Sequence, residues 1–104
     1  MTTTSHVRRR LRGEILKLIY ENDEAQQPRM DELILTRVLE GLKFDVYVNL
    51  VRALLRDLKE RGLISFAEQR DSVTGKSPIR QIQITPGGRD IFEGTGSSLA
   101  VEVD

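Results

Sequence analysis

The stretch FDVYVNLVRALLRDLKERGLIS, residues 44–65, constrains the fold more than any other part of the chain. At roughly 100° per residue, Val51, Leu54, Leu55, Leu58 and Tyr47 gather on one side of a helix, and Asn49, Arg52, Ala53 and Arg56 gather on the other. Gly62 ends that pattern, and LISFAE follows with strand-like composition. The chain must therefore bury one face of this helix against other helices while a strand leaves its end.

Partners for the buried face lie upstream. In SHVRRRLRGEILKLIYEN, Val7, Leu11, Ile15, Leu18 and Ile19 recur at helical spacing, and Ser5 is placed to cap the first turn, so a helix is predicted over residues 5–21. The polar NDEAQQPR is a connector, closed to the helix by Pro28. A second helix is predicted in MDELILTRVLEGL, with Asp31 as N-cap, an apolar stripe of Leu35, Val38, Leu39 and Leu42, and Gly41 near its end. Three to five residues around LKFDV then lead to the third helix, which starts near Asp45 or Tyr47. So short a connection makes a helix-turn-helix.

Downstream, LISFAE and IRQIQIT flank the turn-rich QRDSVTGKSP and are expected to pair as an antiparallel hairpin. TPGGRDIFEG supplies an N-cap in Thr85, a first helical position in Pro86 and a stop in Gly94. One α+β domain is expected over residues 5–94, with residues 95–104 as a mobile tail.

Composition narrows the function. A length of 104 residues allows one modest core. No cysteine is present, which removes disulfides and thiolate chemistry, and His6 is the only histidine, which removes a histidine metal cluster. No apolar run reaches the roughly 18 residues needed to cross a bilayer, and the opening residues lack a secretory signal, so a cytoplasmic protein without a membrane partner is expected. TGKS at residues 74–77 is a turn: position 70, where a phosphate-binding loop needs glycine, holds Arg70, and Pro78 blocks the helix that should follow. PGG at residues 86–88 initiates a helix. No catalytic constellation, cofactor or metal is expected.

Sixteen basic residues balance sixteen acidic ones, so attraction to a polyanion has to come from local placement of charge. Arg8, Arg9, Arg10 and Arg12 crowd the start of the first helix, and Arg70, Lys76 and Arg80 surround the hairpin loop. Either group can meet phosphates or an acidic partner, or can simply keep its segment in water.

The order of three helices, hairpin and short helix, with LVRALLRDLKERGLIS and ITPGGRDIFEG in sequence, resembles the winged helix-turn-helix transcription regulators, across residues 7–94. The spacing from Leu39 through Phe44, Val46, Arg52, Leu58 and Gly62 to TPGGRDIFEG is also similar to small winged-helix proteins of Mu-like phages and prophages. This resemblance implies a double-stranded DNA partner. Asn49, Arg52, Ala53 and Arg56 would then read bases in the major groove, while Arg8, Arg9, Arg10, Arg12, Arg70, Lys76 and Arg80 would contact phosphates and carry the wing. It also implies a homodimer, since palindromic targets need two copies. The competing expectation is a winged helix that binds another protein, and acidic residues dividing the basic groups would favour it.

Overall fold

A computed structural model describes residues 5–68, 70 and 72–94, with only the backbone of Ser5. The Ser5 cap, Asp71 and residues 95–104 lie outside what is described. The elements run α1 (Ser5–Glu24), α2 (Glu32–Gly41), α3 (Val48–Glu60), β1 (Ile64–Glu68), β2 (Ile79–Ile84) and α4 (Pro86–Glu93). This is a small α+β arrangement, and its order is compatible with a winged-helix-like layout.

Local chemistry accounts for most boundaries. Asp31 caps α2 by accepting the Ile34 N–H at 2.8 Å, and Thr85 caps α4 by accepting the Gly88 N–H at 3.1 Å. Pro86 opens α4 and Gly94, at φ 80°, closes it in the left-handed region that glycine adopts without strain. α1 runs three residues beyond the expected end at Glu21, because Asn22, Asp23 and Glu24 contain no helix breaker and the restriction from Pro28 extends only to the residue before it. The α2–α3 connection is six residues, 42–47, slightly longer than expected: Lys43 takes φ 72° and Tyr47 is the N-cap of α3.

α3 packs against both earlier helices, and Val51, Leu54, Leu55 and Leu58 are fully buried as its face predicts. They join Leu11, Ile15, Leu16 and Ile19 of α1 and Leu35 and Leu39 of α2 in one core. The expectation fails for Tyr47, which is 62% exposed because it precedes the first helical turn and so escapes the helical face. Val7, Val38 and Leu42 also lie outside the core, at the edges of their apolar stripes.

The hairpin pairs Ile64 with Ile84, Ser65 with Gln83, Ala67 with Arg80 and Glu68 with Ile79. An extra residue on β2 opposite Phe66 makes a bulge, with Gln81 at φ 56°. The bulge keeps Ile79, Ile82 and Ile84 all in the core. Met30 adds a one-residue bridge, its carbonyl accepting the Ile82 N–H at 3.1 Å, and Asp23 accepts the Ile84 N–H at 2.8 Å. α4 returns to α1, where Phe92 stacks on Tyr20 with centroids 4.8 Å apart and Arg89 pairs with Glu24. Gly88 has no room for a side chain: an added Cβ would sit 2.2 Å from the Leu63 carbonyl oxygen. No helix among the described residues is long and apolar enough to cross a membrane.

Two substitutions test this packing. Leu54→Ala should lower the unfolding free energy by about 2–5 kcal/mol in urea titration, as expected for emptying a fully buried site. Gly88→Ala should destabilise as well, although alanine favours helices elsewhere, because the carbonyl it meets belongs to the backbone.

Candidate nucleic-acid interface

The outward face of α3 is set by its buried one. Asn49, Ala53 and Arg56 are exposed and follow one another at helical spacing, forming a narrow polar edge. Arg56 reaches across to β1, where its Nε and Nη2 lie 3.3 Å from the two carboxylate oxygens of Glu68. That pair is open to water and holds Arg56 weakly, at about 0–1 kcal/mol, so the guanidinium stays available. Behind it Lys59 sits 4.4 Å over the Phe66 ring.

Arg52 is placed differently from its neighbours. Its Nε and Nη2 donate to Glu32 Oε2 at 3.1 and 2.7 Å, and the other oxygen of Glu32 accepts the Ile79 N–H at 2.6 Å. Glu32 is only 4% exposed. One carboxylate at the start of α2 therefore ties α3 to the root of β2, and Arg52 is spoken for. Sequence reasoning passed over Glu32, yet a signal was there: Glu32, Leu35 and Leu39 follow the i, i+3, i+7 spacing of a single helical face, so a carboxylate occupies the inner face of α2.

The start of α1 lies beside the far end of α3. Arg12 donates to Asp57 at 3.2 Å. Burial lowers the Arg12 pKa from its ordinary value; Asp57 opposes that lowering, while Arg61 and Arg8 add to it. Arg8 and Arg61 thus lie near enough to Arg12 to repel it, a local excess of positive charge that includes Arg61, a residue sequence reasoning did not single out. Arg10 is exposed, Arg8 and Arg9 are half-buried, and Arg9 Nε is buried without a hydrogen-bond partner among the described residues.

The third basic group lies on the hairpin. Arg70, Lys76 and Arg80 are all exposed. TGKS is indeed a turn, with Gly75 at φ 72° and the Lys76 N–H donating to Thr74 Oγ1 at 3.3 Å. The three basic groups lie on α1, α3 and the hairpin, and carboxylates hold arginines among them: Asp57 holds Arg12, Glu68 holds Arg56 and Glu32 holds Arg52. Among the described residues no group of three His, Cys, Asp or Glu side chains could hold a metal ion. The chain matches no protein-family model, and comparison with curated proteins finds no match.

Removing either end of the buried pair should have unequal effects. Arg52→Met leaves the Glu32 charge out of water and should destabilise by about 3 kcal/mol, the low end for a broken buried pair because Arg52 keeps a third of its surface in water. Glu32→Gln keeps an acceptor for Ile79 and should cost only about 1–2 kcal/mol. Urea titration of the two variants at neutral pH checks the order.

Proposed function

We propose that this chain is a winged-helix protein that binds double-stranded DNA in the cytoplasm and regulates transcription, with α3 in the major groove and the β1–β2 loop as the wing. The observation that carries this reading is the division of α3 into a completely buried seam and an exposed edge of Asn49, Ala53 and Arg56. An α-helix about 10–12 Å across with its side chains fits a groove about 12 Å wide, along which the 13 residues of α3 run about 20 Å. Arg56 suits guanine O6 and N7, Asn49 suits adenine, and Ala53 lets the helix approach closely. Arg8 and Arg10 at one side and Arg70, Lys76 and Arg80 at the other are offered to phosphates, while Arg12 is held by Asp57. Carboxylates pair with arginines of these groups, which holds non-specific affinity to a moderate level and counts toward a protein partner.

A second reading, a partner protein or a second copy of this chain on a winged-helix scaffold, gains from those carboxylates and from one further observation. Leu33, Ile34, Val38 and Leu42 are exposed along α2 and its end, and Leu42 and Val7 both line an open cleft of about 450 Å³. Exposed apolar surface of this kind often marks an interface.

Selection of duplexes from a random pool at two salt concentrations separates the readings. The DNA reading expects a preferred sequence. Lys76→Gln or Arg80→Gln should weaken binding to every duplex and lower the salt slope by about one unit, and Arg56→Ala should cost about 1–3 kcal/mol and relax one base position. Recovery of no preferred sequence, with binding lost at physiological salt, would transfer support to the protein partner.

A further inference from the structure

We infer that Glu32 is a positioning residue of the DNA-binding surface: it sets the distance between α3 and the wing and keeps Arg52 off the duplex. The inference rests on the DNA reading, but the contacts behind it belong to the free protein.

Glu32 opens α2, and both of its oxygens are occupied. Oε1 accepts the N–H of Ile79, the residue with which the chain enters β2 after the loop that carries Arg70 and Lys76. Oε2 accepts two donors from Arg52, the immediate neighbour of Ala53 on α3. The same carboxylate therefore spans the two elements that would enter adjacent parts of one duplex. Arg80, on β2 next to Ile79, and Asn49, Ala53 and Arg56, around Arg52, take their relative spacing from it. An amide at position 32 cannot reproduce this, since it has one acceptor oxygen and would donate from its other arm.

Arg52 lies on the side of α3 from which it could reach DNA, yet leaving Glu32 would strand a carboxylate that is almost wholly removed from water. A phosphate contact made in water returns less than that loss. Arg52 therefore stays on Glu32 when the protein is on DNA. Its effect on sequence preference is indirect, through the placement of Asn49, Ala53, Arg56 and the wing, and it adds nothing to the salt slope. Glu32 is then a selectivity device, because an unrestrained Arg52 would hold phosphates of any sequence.

The test has two arms. In the absence of DNA, amide hydrogen exchange by NMR should show that Glu32→Ala lowers the protection of Ile79 at least tenfold further than that of Ile15 in the core of α1, which falls only with overall stability. Unchanged protection at Ile79, or an equal fall at both amides, overturns the brace. With DNA, random and selected duplexes are titrated over a range of salt with the native protein and the variants Arg52→Gln, Glu32→Gln and the double variant. Arg52→Gln should leave the salt slope unchanged and reduce the preference for the selected duplex by about tenfold, spread over several base pairs, within the range for coupled neighbouring residues. Glu32→Gln should raise the slope by about one unit, since the released Arg52 finds a phosphate, and the double variant should lose that gain. A slope that falls by one unit in Arg52→Gln, or a preference lost at a single base pair, shows Arg52 on the DNA and overturns the inference. So does a slope unmoved by Glu32→Gln. A native protein that binds no duplex removes the DNA reading alone, and the brace then stands or falls on the exchange of Ile79.

Discussion

The arrangement depends on one packing event, the complete burial of Val51, Leu54, Leu55 and Leu58 of α3 against α1 and α2. Four branched side chains on one face leave a 13-residue helix no freedom to rotate about its axis, because any turn would carry a leucine into water and a charged residue into the core. Once that rotation is fixed, the opposite edge is fixed too. Asn49, Ala53 and Arg56 face outward as a consequence of the leucines, and β1 leaves Gly62 in a direction that lets the hairpin lie beside the helix.

Electrostatics then refines what packing has placed. Arg12, Arg52, Arg56 and Arg89 each pair with a carboxylate, and the burial of the pair decides what each one does. Arg56 with Glu68 is an open surface pair that yields readily to another anion. Arg52 with Glu32 is anchored to a buried carboxylate whose other oxygen satisfies a strand N–H, and it acts as part of the frame. Two arginines one helical turn apart thus have different roles, which the helix itself does not distinguish.

That difference marks the limit of what the sequence makes legible. α3, the cap and stop of α4 at Thr85 and Gly94, the Asp31 cap and the hairpin are all written in local patterns: a 3.6-residue period, an alternation, a side chain three residues from the amide it accepts. The Glu32 contacts join residues 20 and 47 positions apart, the Met30 bridge joins two distant segments, and the Gln81 bulge answers to the core on one side and to β1 on the other. No local pattern encodes such pairs. Tyr47 shows a subtler limit, since it fits the helical period of its neighbours but lies one residue before the helix, where that period no longer applies. The candidate edge on α3 was readable; which of its arginines is free to act was not.

In the function proposed for it, the chain presents the outward edge of α3 and the hairpin loop to duplex DNA as one surface. Backbone chemical-shift mapping of the native protein against a duplex of random sequence at low salt addresses it directly. The largest changes are expected on Asn49, Ala53 and Arg56 and on residues 72–78, with the outer side of α2 unmoved. Changes centred on Leu33, Ile34, Val38 and Leu42, or no change anywhere on α3, would contradict it.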